Sequence, residues 1–191
     1  MAMSISDLFA STIEFKADRV KTNIKIVGFS PQIFKPASYS KDTKSMTRRL
    51  VVFNFVAKAE SDTIPYYYWV NGVRDYGTGG PEAGTYRVFL IVPDVNIRKN
   101  KDKKYPVEIS KGQYMRRIDI YKDPIKVRCD CHDFRWRFAY YNRQHDALYG
   151  ATPPPYTPVS NRGPVNPKKL PGCCKHLMAS LYYLINNRYA Q

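Results

Sequence analysis

The chain has 191 residues, of which 43% are hydrophobic and 25% are charged, which fits one domain, or one domain with a small appendage, and argues against global disorder. No apolar run approaches the roughly 18 residues that a membrane-spanning helix needs, and no basic segment followed by an apolar stretch opens the chain, so neither a membrane span nor a secretory signal is expected. The net charge of +15 suits an anionic partner, which could be nucleic acid, an acidic protein surface or anionic lipid.

A short helix is predicted near the N-terminus, over residues 6–19. Its apolar residues recur at helical spacing, and Ser4 or Ser6 can cap its first turn. We therefore expect residues 1–22 to form an N-terminal helix or arm.

Residues 23–121 show a strand pattern and no helix. Strands are predicted at residues 24–29, 50–57, 64–70, 86–92, 105–109 and 113–121. Pro31 is expected to end the first strand, Asn71-Gly72 is a strong turn signal, and the basic run 98–104 is predicted to be a solvated hairpin tip. These elements predict an antiparallel sheet folded as a sandwich or partial barrel.

All four cysteines lie after residue 128, and the first two follow an alternating pattern. Over residues 125–131, apolar or thiol side chains alternate with charged ones. Because residues two apart in a strand point the same way, Cys129 and Cys131 are expected to face one point, on the same side as Ile125 and Val127.

The second cluster reads Cys173-Cys174-Lys175-His176, and the apolar residues after it predict a helix to about residue 189. Cys174 and His176 then lie at the helix start, where thiolate is favoured. Two cysteines from a strand, with one Cys and one His from a helix start, can supply four ligands for tetrahedral zinc. No fifth ligand or open position is evident, which favours a structural site over a catalytic one.

Three other interpretations of these cysteines stay open. Four cysteines allow three disulfide connectivities, although nothing indicates an oxidising compartment and a disulfide leaves His176 unexplained. The thiols could be buried core residues, or one could be a catalytic thiolate beside His176 or His132, for which no third orienting group is evident. Cys173 is either a spare thiol or the ligand in place of Cys174. His132 and His145 are predicted not to be ligands.

The two pairs resemble the SWIM-type zinc module, whose pattern is Cys-x-Cys, a spacer and Cys-x-His. The resemblance implies a short hairpin that carries the first pair and a helix that carries the second. It also implies that Zn²⁺ is bound by Cys129, Cys131, Cys174 and His176. The spacer of residues 132–173 is longer than the module usually has, so we expect it to bulge out as a feature of its own.

Several motifs in the spacer carry a second resemblance. Residues 133–140 read DFRWRFAY, residues 153–156 read PPPY, and residues 170–172 read LPG before the second cluster. Together with that cluster they are similar to a group of tailed-bacteriophage virion structural proteins, over about residues 125–185. The resemblance implies a component of the virus particle without identifying its position there.

The predicted architecture is α+β. An N-terminal helix or arm (1–22) is followed by an antiparallel β domain (23–121) and by a zinc-stabilised hairpin–helix module (122–191). Within the module, residues 133–148 are predicted to form a helix. The Pro-rich insert 150–172 is predicted to be an extended arm, which either bridges a neighbouring chain or wraps on its own module.

The main functional prediction is a structural subunit of a tailed-phage virion, in the tail, baseplate or head–tail junction, assembled in the host cytoplasm. Its expected partners are other virion proteins and further copies of itself in a ring, with no membrane partner. An enzyme is not expected, because the sequence holds no zinc-protease motif, nucleophile elbow, dinucleotide fingerprint or pair of carboxylates on one helical face.

The alternative is a soluble, zinc-dependent nucleic-acid-binding protein. Trp136 or Tyr156 could stack on bases, and the basic side chains could bind phosphate or equally form a solvated surface. The basic candidates are Arg116, Arg117, Arg128, Arg135, Arg137, Lys168 and Lys169.

Overall fold

The structure, a computed structural model, describes residues 3–14, 24–34, 48–59, 67–70, 73–76, 84–155, 157, 166 and 168–191. Eight strands lie in this part of the chain. They are β1 (Ile24–Phe34), β2 (Arg48–Ala59), β3 (Tyr67–Val70), β4 (Val73–Tyr76), β5 (Gly84–Asn96), β6 (Val107–Ser110), β7 (Gln113–Met115) and β8 (Lys126–Cys129). The helices are α1 (Ile5–Glu14), a π-helical segment (Phe134–Phe138) that continues into α2 (Ala139–Gln144), and α3 (Lys175–Asn186).

Four strands form one antiparallel sheet in the order β1-β2-β5-β8, which agrees with the predicted α+β class. The central strand β2 is nearly continuously apolar, as its sequence predicts. Val51, Phe53 and Ala57 are fully buried, and Phe53 lies opposite Pro31 of β1 and Leu90 of β5. The sandwich or partial barrel is not borne out by the described residues and stays a prediction.

The expectation that Pro31 ends the first strand is wrong. β1 continues through Pro31 to Phe34, in register with β2. Within the described residues, β1 pairs with β2 alone and is therefore an edge strand. An edge strand tolerates proline because its outer N–H groups have no ladder partner to lose.

Two short hairpins accompany the sheet. In the first, Val70 of β3 lies opposite Val73 of β4, which fits the predicted two-residue turn at 71–72, although these two residues lie outside the described part. The second hairpin pairs β6 with β7. The predicted strand 113–121 is shorter than expected and ends at Met115.

The basic run 98–104 is not a hairpin tip. It forms the loop between β5 and β6, and Arg98 pairs with Tyr114 of β7 through backbone hydrogen bonds of 2.9 and 2.8 Å. Within the Pro-rich insert 150–172, residues 156, 158–165 and 167 lie outside the described part of the chain.

α1 begins where the sequence predicts a cap. Ser4 Oγ accepts a hydrogen bond from the Asp7 backbone N–H at 3.2 Å, and Asp7 Oδ2 accepts one from the Ser4 N–H at 2.9 Å. This reciprocal arrangement is a capping box. The side chains of Ile5 and Leu8 are fully buried, so the helix is docked on the core.

α3 lies across the sheet and contacts β1, β2, β5 and β8. One buried apolar cluster includes residues of α1, β2, β5, β8 and α3. The predicted boundary between residues 121 and 122 therefore falls within one sheet and one core, since β8 follows it. Among the described residues, no helix is long and apolar enough to cross a membrane.

Candidate metal centre

Residues 125–131 bury the first two thiols as their alternation predicts, although β8 carries only Cys129, and Cys131 lies two residues beyond its end. Ile125, Val127, Cys129 and Cys131 are all buried, whereas Lys126 and the other intervening side chains are half-buried or exposed. Unlike the local hairpin that the resemblance implies, β8 pairs with β5, where Cys129 lies opposite Val88. Cys129 thus lies on an edge strand of the main sheet, and Cys131 follows just beyond the end of that strand.

Asp130 fixes the Cys-x-Cys segment beyond the end of β8. Its Oδ1 accepts a hydrogen bond from the Arg87 N–H at 2.9 Å, and its own N–H donates to the Arg87 carbonyl at 3.2 Å. These bonds extend the contact with β5 to the residue between the two cysteines.

Cys131 occupies the capping position of the next helix, which spans residues 132–144 with its π-helical part in the middle. Its Sγ accepts a hydrogen bond from the Phe134 N–H at 3.3 Å, and its carbonyl accepts one from the Arg135 N–H at 3.1 Å. Positive helix-terminal N–H groups stabilise a thiolate at this place.

The helix after Cys131 ends earlier than predicted, at Gln144 rather than residue 148. Asp146 has a positive φ of 53°, which interrupts helical geometry. Beyond it, the Val127 N–H donates to the Ala147 carbonyl at 2.9 Å and the Tyr149 N–H donates to the Val127 carbonyl at 3.1 Å. The predicted last residues of the helix therefore pair with β8 instead.

Cys174 and His176 lie at the start of α3, as predicted. Cys174 is the N-cap residue, with φ −75° and ψ 169°, and the Met178 N–H donates to its carbonyl at 3.0 Å. Both side chains are buried. α3 ends at Asn186 instead of about residue 189, because Arg188 adopts a φ of 61° and turns the chain back.

The structure brings Cys129, Cys131, Cys174 and His176 together in one buried cluster. One ligand atom from each residue lies within 4.8 Å of all the others. His176 Nδ1 is 3.8 Å from Cys129 Sγ and 4.0 Å from Cys174 Sγ. Around a tetrahedral zinc ion with Zn–S bonds of about 2.3 Å, the ligand sulfurs lie about 3.8 Å apart. The cluster could therefore hold a metal ion.

The protonation states of these side chains depend on their burial. Burial raises the pKa of each of the Cys129 and Cys174 thiols well above the usual value of a cysteine. Both thiols are therefore protonated at neutral pH when no cation is near. Burial, and then the charge of Lys175, lowers the pKa of His176 to about 3. The neutral imidazole has a lone pair available for a cation, and a bound cation would displace the thiol protons.

The Tyr86 ring from β5 lies against the imidazole, with ring centres 4.3 Å apart. His176 Nε2 is buried without a hydrogen-bond partner among the described residues. The nitrogen that faces the sulfurs is Nδ1, and the tilted tyrosine ring packs against the imidazole.

The remaining cysteine and histidines lie outside the cluster. Cys173 is buried, but Cys174 supplies the sulfur that faces His176. His132 and His145 are exposed and do not belong to the cluster. None of the four cysteines forms a disulfide.

Two buried asparagines, which the sequence analysis missed, hold the returning end of the insert against the helix. Asn142 Nδ2 donates to the Gly172 carbonyl at 3.0 Å, and the Gly172 N–H donates to Asn142 Oδ1 at 2.8 Å. Asn166 Nδ2 donates to the carbonyls of Arg137 (2.8 Å) and Leu170 (2.7 Å). Asn166 lies in the PVNP segment 164–167, but neither this segment nor the sequence around Asn142 carries a local signal for these contacts.

Four of the predicted nucleic-acid contacts have hydrogen-bond or ion-pair partners inside the protein, namely Arg116, Arg117, Arg128 and Arg137. Arg137 is only 4% exposed and forms an ion pair with Asp133 at 3.2 Å, a position that does not favour contact with a ligand. Arg116 forms an ion pair with Asp123. Arg128 donates from Nη1 to the carbonyls of Tyr149 (2.9 Å) and Ala151 (3.0 Å), so it connects β8 to the start of the insert.

The surroundings of Arg117 and of the three remaining candidates differ from one another. Arg117 is half-buried, and its Nη1 donates to Gln191 Oε1 at 3.2 Å. The Arg135 guanidinium lies 4.9 Å from the Trp136 ring. Lys168 and Lys169 are exposed on the returning end of the insert.

No protein-family model, curated protein or solved structure matches this chain.

Proposed function

We propose that the cluster binds one Zn²⁺ as a structural site. The observation that carries this proposal is the closed donor set: three sulfurs and one imidazole nitrogen, all from residues no more than 3% exposed. Thiolate and neutral imidazole are the donors that zinc prefers, and four protein ligands leave no open position for a substrate or an activated water. The site therefore serves folding rather than chemistry.

Zinc in this position joins three elements. Cys129 comes from β8, Cys131 starts the helix over 132–144, and the second pair starts α3. Structural zinc contributes apparent binding free energies of about 10–16 kcal/mol in small fingers. Here the ion holds both ends of the 132–173 segment against the sheet, in the manner of the SWIM-type module that the ligand pattern resembles.

We propose further that the chain is a structural subunit of a tailed-phage virion. The support is the motif resemblance over residues 125–185, together with a metal site that has no place for a reaction. Exposed tyrosines supply surfaces for contact with neighbouring subunits: Tyr121 is 70% exposed and Tyr182 is 53% exposed. Tyrosine is enriched at protein interfaces because its ring is apolar and its hydroxyl forms hydrogen bonds.

Native mass spectrometry of the purified chain, with and without a chelator, tests both proposals separately. One zinc per chain, lost to the chelator, supports the metal site. A metal-free chain that is two or four mass units light through disulfides contradicts it. A zinc-loaded ring of defined copy number supports the subunit role, whereas a zinc-loaded monomer at every concentration contradicts self-assembly and leaves the metal site standing.

A further inference from the structure

A basic cleft of about 730 Å³ lies away from the metal centre. It is bordered by the ends of β1 and β2, by the loop between β5 and β6, and by the start of β7. Its volume falls within the roughly 300–1,000 Å³ range of small-ligand sites. Four basic side chains line it, namely Arg49, Arg98, Lys99 and Lys104.

Three of the four cations of this cleft have no ion-pair partner among the described residues. Within the described residues, no carboxylate forms an ion pair with Arg98, Lys99 or Lys104. Asp102 is the one acidic residue of the lining, and its Oδ1 accepts hydrogen bonds from the backbone N–H groups of Lys104 and Tyr105, both at 2.7 Å. That carboxylate is thus engaged in shaping the loop.

The loop that carries these cations is fixed at both ends. Arg98 forms two backbone hydrogen bonds with Tyr114, and Asp102 closes the turn before the buried Tyr105. The Arg98 guanidinium and the Lys104 ammonium lie 5.4 and 6.0 Å from the centre of the same Tyr105 ring. Two cations held near one ring lose little further freedom when an anion binds between them.

The rest of the lining favours a nucleotide over a simple anion. Ile33 and Ile97 provide apolar surface, and Asn100 and Gln113 bring side-chain amides that can both donate and accept hydrogen bonds. Amides of this kind match the edges of nucleobases, and guanidinium groups match phosphate oxygens.

We propose that this cleft binds a nucleotide, with the phosphate on the basic loop and the base against the apolar and amide side. The nucleotide could be free or could belong to a single nucleic-acid strand, and the chemistry of recognition is the same. None of the seven basic residues that the sequence suggested for nucleic-acid contact lines this cleft. The site is also independent of zinc, since it shares no residue with the metal cluster.

Two matched double variants test the cleft. Lys99→Gln with Lys104→Gln removes two charges from the lining. Lys101→Gln with Lys103→Gln removes the same two charges from exposed positions of the same loop outside the lining. We expect the first pair to weaken binding of a labelled oligothymidylate of about 12 nucleotides by about tenfold or more, and the second pair by less than about twofold. Fluorescence anisotropy of the full-length, zinc-loaded protein measures both.

The salt dependence gives a second readout. If the two lysines of the cleft contact two phosphates, the plot of log affinity against log salt should become shallower in the first double variant, its negative slope losing about 1.4 in magnitude. The slope of the second double variant should stay unchanged. Because all four lysines are exposed, both variants should fold. If the Lys99→Gln, Lys104→Gln double variant does not fold, the single variant Lys99→Gln is compared with the single variant Lys101→Gln instead.

Labelled ADP and a poly-glutamate competitor separate the outcomes. ADP that binds as tightly as the strand, with the same dependence on Lys99 and Lys104, indicates a free-nucleotide site. Binding of the strand alone indicates a nucleic-acid site. Equal losses in both double variants, displacement by poly-glutamate at equal charge, or no binding of either ligand by the unaltered protein would overturn the proposal.

Discussion

The sheet strands β1, β2 and β5 and the segment around the metal cluster are stabilised by different means, although one buried cluster connects them. The strands are in register over ten or more residue pairs and bury apolar side chains such as Phe53, Phe55 and Leu90. The second region also buries apolar side chains such as Phe134 and Leu177, but it has in addition a four-residue cluster of thiols and imidazole and two buried asparagines. Its strand β8 has only four residues.

The difference follows from chain length and sequence separation. The segment between the two ligand pairs must return over residues 132–173 to bring them together, which costs loop-closure entropy. A short edge strand cannot offset that cost through its own pairing. We therefore expect apolar burial to be sufficient for β1, β2 and β5, and the ligand-bearing region to depend in addition on the proposed metal ion. Four substitutions, from the largest expected effect to the smallest, test this division.

Cys174→Ser should abolish zinc binding and loosen residues 122–191, including β8, while strands β1, β2 and β5 are spared. Serine offers a poor zinc ligand, and the three remaining donors lose the ion whose apparent binding free energy is about 10–16 kcal/mol in small fingers. Hydrogen exchange followed by peptide mass spectrometry should show lost protection in α3 and around Cys131. β2 should keep its protection. If the variant keeps uniform hydrogen-exchange protection along the chain, the ligand-bearing region does not depend on the metal ion.

The neighbouring cysteine provides the matched control. Cys173 is buried next to Cys174 but lies outside the cluster. Cys173→Ser places the same hydroxyl one residue away, so it should retain one zinc per chain and near-normal protection. Loss of zinc in Cys173→Ser but not in Cys174→Ser would exchange the roles of the two cysteines.

Phe53→Ala should destabilise the sheet without affecting the metal site directly. Phe53 is fully buried in the central strand, and its ring lies 5.9 Å from that of Tyr189. Removing a buried phenylalanine side chain costs about 3–5 kcal/mol. Urea denaturation in excess zinc measures the change, with exposed Lys58→Ala on the same strand as the control. Zinc stoichiometry should stay at one, and its loss would show that the two regions are not separable.

Asn142→Ala should weaken closure of the insert while the ligands stay in place. The change removes both hydrogen bonds to Gly172 and leaves a buried N–H and carbonyl without partners, at a cost of about 1–3 kcal/mol. Zinc should still bind, but a chelator should remove it faster. Gln144→Ala, at an exposed position of the same helix, should leave the rate of zinc removal unchanged. Equal rates of removal in the two variants would show that the Asn142–Gly172 hydrogen bonds do not help to retain the ion.

Local sequence patterns predict much of the Cys/His cluster but not the long-range contacts that surround it. The two-residue alternation places Cys129 and Cys131 on one face, and the apolar residues after Cys174 predict the start of α3. Each of these inferences needs only the geometry of a single strand or helix. The sequence also indicates the continuous burial of β2.

The features that sequence reasoning missed depend on partners far along the chain. β8 pairs with β5 instead of forming a local hairpin, and Asn142 meets Gly172 across the insert. Pro31 is tolerated because β1 is an edge strand, which is a property of the sheet and not of the residues around it. The sequence of a single strand or helix does not show which distant residues it will contact.

Ser4→Ala should give the smallest effect, because it acts on one helix terminus remote from the cluster. Ser4 Oγ accepts a hydrogen bond from the Asp7 N–H, and its loss costs about 1 kcal/mol at a typical N-cap. The sequence allowed Ser4 or Ser6 as the cap, so Ser6→Ala is the control and should change stability less. Urea denaturation in excess zinc distinguishes them, with zinc content unchanged in both. A larger loss in Ser6→Ala would contradict the capping box.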